Sequence, residues 1–354
     1  MDKLKVGILA GTGMVGQKYI SLLENHPWFE VTHVSASERS AGKKYAEAVK
    51  GRWHMLTEMP EEVKDIMVYN ATEISKAKNC DFVFSALGSG PAKELEHKYA
   101  EAGISVVSNA SAHRHTPDVP MLIPEINPEH CDIIPIQKKN RGWEGFIAVK
   151  PNCSLQSYMT PMFALHKEYG IKKSIISTMQ AVSGAGYPGV SSWDIVDNVM
   201  PFIKGEEEKS EVEPLKILGD IEGSKIVPAE GINISAHCNR VATTDGHMAC
   251  VSVEFEEKPD KDTVLKAWKN FKAEPQRLKL PFAPEQPIIY REEPDRPQTR
   301  LDRDADKGMA VTVGRLRECN VFQWRFTGLS HNTVRGAAGG GILNAELLKA
   351  KGYL

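Results

Sequence analysis

Lys5-Val6-Gly7-Ile8-Leu9-Ala10 reads as a short apolar strand, Gly11-Thr12-Gly13-Met14-Val15-Gly16 follows it at once, and Val15 to Glu24 carries apolar residues at helical spacing. That order leaves few folds open. A G-x-G-x-x-G between a strand and a helix allows a tight turn and a close backbone approach, so a pyrophosphate can rest on the helix N-terminus. Gly11, Thr12, Gly13, Met14 and Val15 are therefore the expected phosphate contacts. The next strand, Val31 to Ala36, runs into Ser37-Glu38-Arg39-Ser40, where the ribose of an adenosine would lie. Arg39 with Ser37 and Ser40 suits a 2′-phosphate and points to NADP; Glu38, were its carboxylate turned inward, would favour NAD.

The unit repeats. Phe82-Val83-Phe84-Ser85-Ala86 is a second apolar run, followed by Leu87-Gly88-Ser89-Gly90 and a helix from Pro91 to Ala102. Ile104 to Ser108 is a further strand, ending in Asn109-Ala110-Ser111. Strand–loop–helix units in series predict a parallel, doubly wound sheet with its site at the strand C-termini, which adds Ser85 to the expected cofactor contacts. Beyond Cys153 the strands lengthen: Ser174 to Ala181, Met248 to Glu256, Met309 to Arg317 and Val321 to Leu329. Few helices separate the last two, so a mixed or antiparallel sheet in a separate α+β domain is expected. With 354 residues the chain has room for two domains, each with its own core. Charge-rich Ile203 to Glu213 and proline-rich Lys272 to Asp306 read as ordered loops or excursions. Asn332 to Leu354 reads as a glycine-rich loop opening a helix.

The 44 Lys and Arg against 46 Asp and Glu, a net charge of −2, give no reason to expect nucleic acid or an anionic membrane as partner. No stretch reaches the roughly 18 apolar residues of a membrane span, and Val6 to Ala10 is no signal peptide. Six cysteines without C-x-x-C pairs support neither a zinc site nor a disulfide framework. No metal is expected, and a reduced, cytoplasmic setting is.

One cysteine is placed for chemistry. Phe146 to Val149 reads as a strand and Ser154 onward as a helix, which sets Cys153 of Pro151-Asn152-Cys153-Ser154 at the junction. Unpaired N–H groups and the helix dipole there favour the thiolate, the nucleophilic form. Taken alone, Cys153 reads more simply as an inert core thiol. Three further segments concentrate reactive groups. Gln180 to Gly186 ends a strand in a donor-rich loop, Arg240 and His247 stand seven apart, and Glu206-Glu207-Glu208-Lys209 puts an acid–base pair at helical spacing. Singly, each has a plain reading as a turn residue or a solvated helix face.

Together these segments resemble the aspartate-β-semialdehyde dehydrogenase family, in its archaeal and fungal branch, over nearly the whole chain. The family's PNCS motif stands intact as Pro151 to Ser154, and its glutamine strand and SGAG loop as Gln180 to Gly186. Its arginine and histidine match Arg240 and His247, its arginine after NAS matches Arg114, and Asn332 to Gly339 matches its closing loop. The resemblance implies an α/β chain of two parts: an N-terminal Rossmann NADP-binding domain, residues 1–150 with the C-terminal helix at about 332–354, and an α+β catalytic and dimerisation domain with a mixed sheet, residues 151–331, as in glyceraldehyde-3-phosphate dehydrogenase. It implies Cys153 as nucleophile, His247 as general acid/base with a pKa near about 6.5, and Gln180 orienting the acyl group. Arg240 would hold the substrate α-carboxylate, Glu206 its ammonium, and Arg114 and Lys209 the phosphate, with Asn152 also in the substrate site. Ser183, Gly184 and Asn332 would join the cofactor contacts. The run of three glutamates leaves the acidic position open between 206 and 208. The implied reaction is NADP-linked and reversible: L-4-aspartyl phosphate to L-aspartate-4-semialdehyde and phosphate, in the route to lysine, threonine and methionine, by a homodimer or homotetramer. One departure is local. The family's loop reads GATGxVG, whereas Ala10-Gly11-Thr12-Gly13 exchanges the first two residues, which leaves the phosphate contacts open.

Malonyl-CoA reductase is the rival, sharing the fold, cysteine, histidine and the loop Ser183 to Gly189; it differs around the nucleophile, at Asn239 before the arginine, and at the EEEK segment. Malonyl-CoA has no ammonium, so a Glu206 left without a partner would cost on the order of 1–3 kcal/mol in affinity. A silent nucleotide sensor, the alternative of another class, needs none of Cys153, Gln180, Arg240 and His247.

Overall fold

The computed structural model describes residues 2–354. Six strands form a parallel sheet: β1 (Leu4–Leu9), β2 (Phe29–Ala36), β3 (Val68–Asn70), β4 (Phe82–Ser85), β5 (Ser105–Ser108) and β6 (Ile147–Val149), in the order β3-β2-β1-β4-β5-β6. Val6, Ile8, Phe84, Val106 and Ile147 are all fully buried. A sheet covered on both faces needs apolar residues on both, which is why these strands read as continuous apolar runs. The chain winds outward from β1 to β3 and re-enters at β4, so the crevice opens between the C-terminal ends of β1 and β4.

The second sheet holds β7 (Ile171–Gln180), β10 (Asn233–Arg240), β11 (His247–Phe255), β12 (Ile288–Arg291), β13 (Val311–Glu318) and β14 (Trp324–Ser330), with a separate hairpin of β8 (Asp220–Glu222) and β9 (Lys225–Val227). Its order is β10-β7-β11-β14-β13-β12, parallel at β7–β10 and β12–β13 and antiparallel elsewhere, a mixed sheet as expected. Register decides what this sheet presents. Arg240 pairs with Gln180 at the ends of two parallel strands, and Met248 pairs with Met179 at the start of the antiparallel β11. Gln180, Arg240 and His247 therefore share one end of the sheet.

The C-terminal helix Gly339–Ala350 returns to the first sheet, where Ile342, Leu343 and Leu347 join Val6, Ile8 and Tyr19 in one apolar cluster. Here the expected loop is corrected: Gly339, Gly340 and Gly341 lie inside that helix. A Cβ on Gly341 would come within 1.9 Å of the Tyr19 hydroxyl, so these glycines serve close packing. The charge-rich segment expected as a loop is also helical, Glu206–Ile217. Among the described residues no helix is long and apolar enough to cross a membrane.

Candidate active site

Cys153 follows β6, but the expected helix does not start at Ser154. Ser154–Ser157 form one 3₁₀ turn and the α-helix begins at Met159. Pro161 explains the break: in a helix running from Ser154 it would sit in the interior, its ring against the carbonyl of Ser157. A helix starting at Met159 puts Pro161 in the first turn, where a missing N–H is harmless. The thiol thus lacks the long helix dipole expected of it. Burial, and then the carboxylate of Glu206, push the Cys153 thiol up, while Lys150, Arg114 and Arg240 pull it back.

The turn is held from the helix Glu206–Ile217. Glu206 accepts from Asn152 Nδ2 at 2.9 and 3.0 Å and from Lys209 Nζ at 2.9 Å. Asn152 Oδ1 accepts from the Ser154 N–H and hydroxyl at 2.9 and 2.6 Å, which fixes the chain on both sides of Cys153. Glu213, fully buried, accepts from the Asn152 N–H at 2.6 Å and from Arg114 Nη1 at 2.9 Å. Of the three glutamates Glu206 faces the thiol loop, while Glu207 takes the N–H of Cys238 on β10. Lys216 completes the scaffold by donating to the carbonyls of Arg114, Thr116 and Val119 at 2.7, 2.7 and 2.8 Å.

His247 Nε2 lies 3.4 Å from Cys153 Sγ, and its Nδ1 accepts from the Ala181 N–H at 3.0 Å. A neutral ring accepting at Nδ1 carries its proton on Nε2, facing the sulfur. Full burial, reinforced by Arg240, holds this imidazole down at about 3. The ring therefore presents Nε2–H to the sulfur, and burial sets it below the free-imidazole value on which the expectation of proton exchange near neutral pH rested. Arg240 donates to Ala181 O at 2.8 Å, and Gln180 is buried with Nε2 3.3 Å from Thr178 Oγ1. Gly184 lies over Arg240 and His247: a Cβ there would come within 2.8 Å of Arg240 Nη1 and 3.1 Å of the His247 ring.

A cavity of about 200 Å³ opens beside the thiol, lined by Cys153, Asn152, Arg114, Lys150, Ser183, Gly184 and Asn332 from the thiol side and by Met14, Val15, Lys18 and Asn109 from the nucleotide side; Gln180, Arg240, His247, Glu206 and Lys209 stand behind this lining. Asn332 Nδ2 donates to Ser183 Oγ at 2.8 Å. Gly13 caps the helix Met14–Leu23 without a side-chain bond, which leaves its first N–H groups for an anion, and both side-chain polar atoms of Asn109 lack a partner. The loop fits a dinucleotide. A Cβ on Gly16 would come within 2.4 Å of Ala10 O, and one on Gly11 within 2.5 Å of Val34 Cγ1, so the exchanged glycine makes room for Val34. Ala10 in turn takes φ +58°, the left-handed region that glycine adopts freely. Ser37 and Arg39 are exposed at the end of β2 and Ser40 is buried beside them. Ser85 is corrected: its hydroxyl donates to the buried Glu96 at 2.6 Å and turns inward rather than into the cleft.

Sequence reasoning missed Glu213 and Lys150. Glu213 carried one signal: it lies seven residues from Glu206, hence on the same helix face. Among the described residues no three His, Cys, Asp or Glu side chains gather as a metal site.

A parallel nucleotide-binding sheet joined to a mixed sheet, with a thiol and an imidazole at their seam, defines a class of thiol-dependent dehydrogenases. Residues 5–134 match the semialdehyde dehydrogenase NAD binding domain, and residues 162–335 the semialdehyde dehydrogenase dimerisation domain. An aspartate-semialdehyde dehydrogenase of Archaeoglobus fulgidus is 51% identical over 98% of this chain and 98% of its own length. The crystal structure of aspartate semialdehyde dehydrogenase with NADP from Candida albicans has a TM-score of 0.91 at 40% identity, covering 99% of this chain and 100% of that one. A malonyl CoA reductase (NADP) of Metallosphaera sedula is 42% identical over 99% of this chain and 98% of its own length. The chain belongs to the aspartate-semialdehyde dehydrogenase family.

Proposed function

We propose that the chain is an NADP-dependent, phosphorylating aspartate-β-semialdehyde dehydrogenase, interconverting L-4-aspartyl phosphate with L-aspartate-4-semialdehyde and phosphate. The observation that carries the reading is the 3.4 Å contact of Cys153 Sγ with His247 Nε2, at the end of the sheet that also holds Arg240 and Gln180. The Cys153 thiolate attacks the acyl carbon, the bond to phosphate breaks, and a thioester forms. NADPH, held by Gly11 to Val15, Ser37, Arg39, Ser40, Ser183, Gly184 and Asn332, supplies a hydride when bound. His247 Nε2–H, aimed at the sulfur, donates to the oxygen that gains charge at the acyl carbon. Gln180 orients the acyl group. Arg240 takes the α-carboxylate and Glu206 the ammonium, while Arg114, Lys209 and Asn152 border the phosphate.

The boundaries 1–150 with 332–354, and 151–331, describe the cofactor and catalytic units. A homo-oligomer, dimer or tetramer, built through the second unit is supported by its exposed apolar side chains, among them Ile175, Trp193 and Phe202. A cytoplasmic setting suits a free catalytic thiol. The test is a side-by-side assay on purified protein. NADP⁺ reduction is expected with aspartate semialdehyde and phosphate, arsenate replacing phosphate, and negligible NADPH oxidation with malonyl-CoA. A higher kcat/KM on malonyl-CoA overturns the substrate and leaves fold, thiol and cofactor standing.

A further inference from the structure

Three charged groups around the thiol are already neutralised by their neighbours. Arg114 pairs with Glu213 at 2.9 Å, Arg335 with Glu125 at 2.8 Å, and Lys209 with Glu206 at 2.9 Å. Three cations around the thiol and its cavity have no carboxylate within 4 Å among the described residues: Arg240, Lys150 and Lys18. Under the proposed function Arg240 is claimed by the substrate carboxylate, and Lys18 stands on the nucleotide-side helix Met14–Leu23 in the field of Asp245 and Asp304, which leaves Lys150 beside the thiol. That residue follows β6, three positions before the thiol, and only 2% of its surface is exposed. Its Nζ donates to Pro151 O at 2.7 Å, its stem lies under Gly340, and it lines the cavity together with Cys153. An ammonium is not buried with a single carbonyl partner without consequence.

We propose that Lys150 is a positioning residue for this reaction: its buried ammonium is the counter-charge that lets Cys153 ionise when substrate occupies Arg240. The proposal rests on the reading of Cys153 as nucleophile. The proton balance closes within the pair: before ionisation Nζ is a neutral amine beside a neutral thiol, and the hydrogen leaving Sγ turns that amine into the ammonium, so no other reagent is needed. Burial drives each group towards neutrality, Lys150 down to about 7 and the thiol up, and each charge offsets the desolvation of the other. The groups facing the pair are Arg114, from the loop after β5; Glu206 and Glu213, from the helix Glu206–Ile217; Arg240 and His247, from the second sheet; and Arg335 with Glu125 behind Lys150.

The experiment is the rate of Cys153 alkylation by iodoacetamide against pH, in the parent protein and in Lys150→Met, Lys150→Gln and Lys150→Arg, with NADP⁺ affinity as the check on folding. Lys150→Gln, one atom shorter, keeps an uncharged N–H donor on the side of Pro151 O, so it is the variant expected to fold if the methionine does not. Loss of the charge is expected to raise the midpoint of the profile by at least one pH unit and slow alkylation near pH 7 about tenfold. Lys150→Arg is expected to bring the midpoint at least halfway back, which a merely structural role would not do. Unchanged midpoints in folded Lys150→Met or Lys150→Gln overturn the assignment. Turnover by Cys153→Ser separates the two readings: an active variant overturns the nucleophile and with it the catalytic use of Lys150, whereas an unshifted alkylation profile overturns Lys150 alone.

Discussion

Glu213→Gln isolates what holds the thiol loop in place. The carboxylate is fully buried, 2.9 Å from Arg114 Nη1 and 2.6 Å from the Asn152 N–H. At 2.9 Å and an effective dielectric near 20 the attraction to Arg114 is roughly 6 kcal/mol. Desolvation of both groups offsets most of that, so the intact pair adds little stability; deleting one half leaves the other buried and uncompensated, a cost of about 3–5 kcal/mol. Glutamine adds a geometric conflict, because its single oxygen can serve Arg114 or the Asn152 N–H but its amide must then face the other donor. Urea unfolding followed by tryptophan fluorescence should show a loss of about 3–5 kcal/mol for Glu213→Gln. The double variant Arg114→Met/Glu213→Leu should regain at least half of it, since apolar replacement of a whole buried pair is often close to neutral. That double variant should nonetheless be inactive, having lost the guanidinium beside the phosphate site. A Glu213→Gln within about 0.5 kcal/mol of the parent, the range of ordinary surface changes, refutes the reasoning.

Three further outcomes follow from particular positions. Ala10→Gly should raise stability by about 0.5–1 kcal/mol by relieving the left-handed backbone, while Gly11→Ala should lower it by about 1–3 kcal/mol through the clash with Val34; thermal shifts of the same sign would exclude this account of the loop. Between pH 6 and 5 the fold should weaken as acid is added. Burial holds His33, His113 and His247 at about 4, about 4 and about 3, so each gains a proton on unfolding, whereas Glu96, raised to about 7, loses one. The unfolded chain thus binds about two protons more, and stability falls by about 2.7 kcal/mol per pH unit through this window; a urea midpoint that stays flat or rises from pH 6 to 5 contradicts the assignment. Arg39→Ala should raise the KM for NADPH far more than that for NADH, and equal changes would remove Arg39 from the 2′-phosphate.

What was legible in the sequence follows physical lines. Strands β1, β4 and β5 are buried on both faces and show as apolar runs, and the glycines between β1 and its helix have few other uses. The edge strand β10 carries Asn233, His237, Asn239 and Arg240 on a half-exposed ribbon, a pattern no apolar periodicity reveals. The helix Glu206–Ile217 was hidden for the opposite reason. Its buried face is polar, with Glu206, Ser210, Glu213 and Lys216, because it packs against backbone donors and carbonyls instead of an apolar core. Lys150 and Glu213 gain their meaning from partners 99 or 61 residues away, or from burial itself, and neither is visible locally.

Substrate choice turns on that same polar helix, and not in the way an isolated glutamate would suggest. The 1–3 kcal/mol expected against a substrate without an ammonium assumed a Glu206 carboxylate left alone. Glu206 is not alone: Asn152 and Lys209 both donate to it. A substrate lacking the ammonium therefore leaves no orphan acid, and this contact by itself discriminates weakly. Under the proposed function a stronger discrimination comes from exchange: Lys209 turns from Glu206 towards phosphate, and a substrate ammonium takes its place on the carboxylate. Its side chain is 28% exposed, so it has room to turn, while Asn152 keeps Glu206 oriented throughout. On that proposal the ammonium and the phosphate are recognised together, and an acyl-CoA, with neither group at these positions, is expected not to trigger the exchange.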